Sequence, residues 1–368
     1  MYLDFNSAEE LIAAIAGMPR ATADVAMIYL SDKHEQQVGA MIAGLDAQGI
    51  RFFGGIFPGL IDRDRPVYSG AVVNFVESAT APVMVQLGFD GLAQPDLLPQ
   101  LVARQDRRSC FVLVDCFAPG ITQFLDQLHR RYGGSVEFFG AGAGNRELAH
   151  RPSVFSNDGV FANAAVVAFS EQRNDVSVRH GWQHYAGPYI VTRSERNVIH
   201  ELNGHPALET YSAALPERLR GVRADRFYAE VGSRYPLSIQ QEGAEDVVRD
   251  PVAFTPDGSL IVLSDIPQDS VMHMVHAGPE WLIRAAAKAV GELDGESACN
   301  RLLVADCYSR TLMMGTDFCR ELATAERKAR ENVPATAMEG LLALGEIAGS
   351  AGRSLEFFNK TFVACRMN

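Results

Sequence analysis

One pattern returns three times along this 368-residue chain, and it limits the fold more than any other feature. Val25-Ala26-Met27-Ile28-Tyr29-Leu30 is a short apolar run that reads as a buried strand. A helix is predicted over 33–47. Phe52-Phe53-Gly54-Gly55 follows as a second strand running into a glycine-rich turn, and 70–75 closes the unit as a third strand. The pattern recurs 86 residues on. Phe111-Val112-Leu113-Val114-Asp115-Cys116 matches the first strand, 119–132 the helix, and Phe138-Phe139-Gly140-Ala141 the glycine turn. The closing strand, 164–169, comes eight residues late on that offset. A fainter third copy runs from Leu302-Leu303-Val304-Ala305-Asp306-Cys307 through a helix at 316–330 and a turn within 340–347 to a strand at 360–365.

Strand, helix, strand, turn, strand implies a parallel pair joined by a helical crossover, with antiparallel pairing added after the turn. The expected fold class is α/β, with mixed β-sheets flanked by helices and built from repeated β-α-β-β units in two domains. An Ala214–Arg218 linker puts the domains at 1–215, with an internal duplication, and 216–368. The glycine bends are expected to converge around a cavity, either lining a ligand or permitting tight positive-φ turns. Gly140-Ala141-Gly142-Ala143-Gly144 lacks the spacing of a dinucleotide fingerprint. Cys116 and Cys307 fall at the same place in two units, and small buried hydrophobes are the expected reading of both.

The net charge of −12 disfavours nucleic acid and anionic membranes. Apolar runs such as Asn163–Phe169 are strand-length, far short of a membrane-spanning helix. The N-terminus carries Asp4, Glu9 and Glu10 where an export signal would be basic, and Ser7-Ala8-Glu9-Glu10 reads as a capping box opening a helix that ends near Gly17. The expected compartment is therefore cytoplasmic, with six reduced, widely spaced cysteines and no Cys-x-x-Cys pair.

Three segments resemble a known family. Arg179-His180-Gly181-Trp182 leads to Gly187-Pro188-Tyr189-Ile190-Val191-Thr192 and then to a helix start at His205-Pro206-Ala207-Leu208-Glu209-Thr210-Tyr211. Further on stand Asp306-Cys307-Tyr308-Ser309-Arg310, Gly345-Glu346-Ile347 and Asn359-Lys360-Thr361. In this order the segments are similar to the FIST N and FIST C modules over about 24–366. The resemblance implies a non-catalytic bacterial signal-transduction protein. Such a protein binds a small ligand and reports to a histidine kinase of a two-component system, or to a diguanylate cyclase or phosphodiesterase. It leaves a homodimer open. One branch senses nitric oxide through haem b, and a chain of this kind looks like that branch; for other members an amino acid is the proposed ligand, and an amino-acid or other small-molecule sensor without haem is the alternative.

A haem sensor needs an axial ligand in an apolar pocket. His180, beside Trp182, Tyr185 and Tyr189, is the preferred iron ligand. His273 and His276 come second, and a Cys307 thiolate is a further option. His34, His129 and His150 are expected to face solvent. For an amino acid, Arg310 would hold the carboxylate, with Glu346 and Asn359 completing the site at strand ends; a buried ion pair fixing the turn is the competing reading. The sequence shows no nucleophile elbow, P-loop or His-Glu-x-x-His motif. A hydrolase or transferase on an αββα-like scaffold is the remaining alternative.

Overall fold

The computed structural model describes residues 1–78, 80–99, 108–133, 135–293, 301–349 and 354–367; Cys299 lies outside them. A first helix, α1 (Ala8–Gly17), is capped as its sequence implies: Ser7 Oγ accepts from Glu10 N at 3.4 Å, and the Glu10 carboxylate accepts from Asn6 N at 2.8 Å.

The first unit is β1 (Asp24–Ser31), a 3-10 turn leading into α2 (Val38–Ala47), β2 (Phe52–Phe57), a hairpin of β3 (Gly59–Asp62) and β4 (Arg65–Val67), and β5 (Ala71–Glu77). The second unit is β6 (Arg108–Asp115), α3 (Ile121–Tyr132), β7 (Val136–Ala143), the hairpin β8 (Val154–Ser156) and β9 (Gly159–Phe161), and β10 (Ala164–Ser170). An insert follows, including β11 (Gln183–Glu195), β12 (Leu237–Ile239), β13 (Val247–Arg249), β14 (Val271–His276) and α4 (Pro279–Gly291). The third unit is β15 (Arg301–Cys307), α5 (Tyr308–Met314), α6 (Asp317–Asn332), β16 (Ala337–Ala343), the hairpin β17 (Glu346–Gly349) and β18 (Glu356–Phe358), and β19 (Phe362–Arg366).

Each unit has a parallel pair, β1/β2, β6/β7 and β15/β16, and an antiparallel return on the first strand, β5, β10 and β19. The hairpins do not stay at home. β8 of the second unit pairs with β2 of the first, β17 of the third with β7 of the second, and β3 of the first with β16 of the third. Three sheets therefore lend one another a hairpin in a closed cycle. Their inner faces meet in one core that includes Met27, Tyr29, Phe111, Leu113, Leu303 and Ala305. The outer faces are covered by α1 and α2, by α3, and by α4 and α6. The borrowed hairpins contribute to these outer layers: Phe155 packs in the first, Ile347 and Phe357 in the second, Ile61 in the third. The insert adds a fourth sheet whose residues Val191, Leu202, Met272 and Met274 join the central core.

Strand register corrects three sequence expectations. Ile28 pairs with Gly54 and Val112 with Gly140, so the first strands are 84 residues apart while the glycines are 86 apart. Asp115 pairs with Ala143 and Cys307 with Ala343, so the counterpart of Cys307 is Asp115; Cys116 lies one residue beyond its strand. Gly54 and Gly140 sit within strands rather than at a turn. A side chain there would collide with the neighbouring strand: a Cβ would lie 2.1 Å from Ile28 O at Gly54, 1.8 Å from Val112 O at Gly140, and 1.9 Å from Val304 O at Gly340. The bends do meet, by direct contact. Gly144 N donates to Ile56 O at 2.8 Å, Gly142 N to Gly345 O at 2.7 Å, and Leu344 N to Gly142 O at 3.0 Å. His34 is buried against the Phe5 ring, centroids 4.2 Å apart, instead of facing solvent. No helix among the described residues is long and apolar enough to cross a membrane.

Candidate functional site

The tip of β15 gathers several buried charged groups. Asp306 and Cys307 end the strand, and Cys307 is the N-cap position of α5. The first turn of α5 carries Arg310 inward to zero exposure. Glu346 opens β17 directly after Gly345, whose φ of +113° suits glycine. Asn359-Lys360-Thr361 precedes β19, with Lys360 in the left-handed region at φ +54°. From the insert, Asp250 and Tyr228 close the cluster.

Arg310 is fully committed. It ion-pairs with Glu321 and, through Nε, with Asp306 at 3.3 Å. Its guanidinium also donates to the carbonyls of His180 at 2.7 Å, Lys360 at 3.1 Å and Leu282 at 3.4 Å. All five of its N–H donors thus have protein partners, leaving none for a ligand carboxylate. The role expected of it is corrected: Arg310 ties the insert to the third unit. Lys360 Nζ pairs with Asp250 Oδ2 at 3.2 Å and donates to Ser309 Oγ at 3.3 Å. Tyr228 OH donates to the same Asp250 oxygen at 3.1 Å, and Thr361 N donates to Glu346 Oε2 at 3.1 Å.

Four buried carboxylates, Asp250, Asp306, Glu321 and Glu346, outnumber the buried cations around them, Arg310, Lys360 and Arg249 beside Asp250, so the cluster holds protons. Burial, and then the charge of Asp306, holds the Glu346 carboxyl well above the usual range; burial and then Glu321 do the same to Asp306. Burial, with Glu346 next, pushes the Cys307 thiol up to about 12. A thiol held that high is neither a ready iron ligand nor a nucleophile. Because the folded state binds a proton at Glu346 that the unfolded chain has lost, this group's stabilisation falls as pH rises from the unfolded carboxylate range toward its raised folded value. Glu346→Gln keeps an acceptor for Thr361 N and cannot ionise. Its stability, followed by thermal melts between pH 5 and 9, should decline less steeply than that of the parent chain, by up to about 1.4 kcal/mol per pH unit; superimposable slopes would refute the buried proton.

Of the residues singled out from the sequence, Cys307, Arg310, Glu346 and Asn359 come together. Trp182 joins them through Nε1, which donates to Lys360 O at 3.2 Å, and His180 through its carbonyl. Tyr185 does not; it is exposed, edge-on to Tyr235 with centroids 5.3 Å apart. Asp250, Tyr228, Ser309, Glu321 and Lys360 were not foreseen as site residues. The available signal was a charged residue inside or beside an apolar strand, as in Val247-Val248-Arg249-Asp250 and Lys360-Thr361-Phe362-Val363.

His180 does not fit a haem. Its Nδ1 accepts from Trp182 N at 2.8 Å, which in the neutral ring puts the proton on Nε2, 3.7 Å from Glu245 Oε1. Burial lowers its pKa and favours that neutral ring. The nitrogen that would face iron therefore carries a hydrogen instead of a lone pair. The adjoining hollow, about 460 Å³, sets Arg179, Glu245, Asp246, Arg284 and Lys288 among Trp182, Trp281 and Ala285, so its lining is mixed rather than the largely apolar wall a porphyrin prefers.

A closed cycle of mixed sheets with a buried polar cluster at one strand tip defines a mixed α/β protein. The chain belongs to the FIST family: the FIST N domain matches residues 24–205 and the FIST C domain residues 207–349. FIST domains are sensory, ligand-binding signalling domains. No curated protein matches the chain.

Proposed function

We infer that the chain senses a small amine-bearing molecule, such as an amino acid, at the tip of β15 without haem, and passes the binding event to a signalling partner. One observation carries this reading. Five buried oxygens at this strand tip, Asp250 Oδ1, both oxygens of Asp306, Glu346 Oε1 and Asn359 Oδ1, accept no N–H or O–H hydrogen bond, while the guanidinium beside them is spent. Buried acceptors of this kind are costly unless a donor arrives. An ammonium group supplies three donors and a charge that favours ionised Glu346, so binding releases the proton stored there. The cluster is closed in this conformation. Entry requires α5 to move, and Gly315 at its end, φ +54°, is the bend about which it can swing. Because β17 and β18 belong to the neighbouring sheet, a shift of Glu346 is felt across the ring.

Thermal melts of the full chain with a panel of amino acids and primary amines, alongside haem titration, test the proposal. The expected result is stabilisation that rises with ligand concentration, is lost in Glu346→Gln, and comes with no stoichiometric Soret band. No stabilisation by any amine, or a stoichiometric Soret band, would reject it.

A further inference from the structure

Away from the β15 tip, the insert brings together two imidazoles and a carboxylate. His184 lies on β11, His273 on β14, and Asp246 directly precedes β13. One potential ligand atom from each lies within 4.8 Å of the others. The strands fix this meeting. Ser238 on β12 pairs with His273 on β14, and a register shift in β11 between His184 and Ala186 re-aims His184 over the same spot. The two rings are stacked, with centroids 3.8 Å apart and planes 6° from parallel.

An ordinary hydrogen bond accounts for His184 and Asp246, Nε2 to Oδ2 at 2.9 Å. It does not account for His273, whose Nδ1 is buried and has no partner. The carboxylate is also oriented from behind: Ser238 Oγ donates to Oδ2 at 3.2 Å and Gln241 N to Oδ1 at 3.1 Å. Outer contacts of this type steady metal ligands.

We propose that His184, Asp246 and His273 form a binding site for a borderline divalent cation of the zinc type, with water in the remaining position. Two imidazoles and one carboxylate are a donor set for such ions, and hard oxygen-seeking ions such as Mg²⁺ suit it poorly. Zinc ligands stand about 2.1 Å from the ion. The parallel rings must therefore tilt toward one another, and the half-exposed His184 has the freedom to rotate. The ion would clamp three separate segments of the insert, with His184 and Asp246 on the wall of the hollow beside His180, and it does not depend on an amine binding at the β15 tip.

The test uses the full chain, free of any affinity tag, in a Cys319→Ser background that removes an exposed thiol. Co²⁺ is titrated and its d–d absorbance recorded, and Zn²⁺ affinity is measured by competition with a chromophoric chelator. The expected result is one ion per chain, at least tenfold weaker binding for His184→Asn and for His273→Ala, and about tenfold for Ser238→Ala, with His200→Ala unchanged. His184→Asn alters a half-exposed side chain, so its effect is separable from misfolding by an unchanged thermal melt without metal. Binding that survives His184→Asn and His273→Ala, or no binding near one equivalent, would overturn the site.

Discussion

Arg310→Leu should destabilise the folded chain by about 3–5 kcal/mol, read as a lower urea midpoint. The size follows from what the guanidinium leaves behind. Glu321 and Asp306 would lose their buried countercharge, and the carbonyls of His180, Lys360 and Leu282 would lose a donor. Those carbonyls lie on the insert, on α4 and before β19, so the loss loosens all three against β15. The comparison that isolates the charge is Arg310→Leu with Glu321→Leu. Removing both partners restores part of the loss, because an apolar pair is tolerated where a lone buried carboxylate is not. A cost below about 1 kcal/mol for the single change would show that the ion pair is not holding the insert in place.

The second large effect is expected at Gly140. Valine there must place its Cβ against Val112 O, a backbone atom 1.8 Å from the ideal position, so the strands themselves must separate. The cost should meet or exceed the upper end of the roughly 1–3 kcal/mol usual for overpacked cores. Gly340→Val, against Val304 O, should behave alike, because the two glycines hold the same register in two units. Gly39→Ala is the control: nothing lies within 4 Å of the added methyl, and alanine favours a helix, so stability should hold or rise. Equal melting temperatures for Gly140→Val and the parent chain would contradict the close strand approach.

Much of the skeleton was legible from residues alone. The apolar runs at Val25–Leu30, Phe111–Cys116 and Leu302–Cys307 are strands within three residues of their observed ends, and the mixed α/β class follows from them. The hairpins were not legible. Strands of three or four residues, such as Val154–Ser156 and Gly59–Asp62, are too short for a period to appear, and their partners lie in a different unit, as Gly59 pairs with Leu342. The Asp-Cys echo between Asp115-Cys116 and Asp306-Cys307 misled because a one-residue slip reverses the face a side chain takes. At the β15 tip, Cys307, Arg310, Glu346 and Asn359 could be picked from the order of motifs. That Arg310 is saturated could not, since its partners come from residues 180, 282, 306, 321 and 360.

Three units that share their hairpins in a closed cycle cannot fold piecemeal. Differential scanning calorimetry of the full chain tests it most directly. The exchange predicts one transition whose calorimetric and van't Hoff enthalpies agree, because melting any unit removes a strand pair from the next. Two resolved transitions, with the FIST N and FIST C regions unfolding independently, would contradict it.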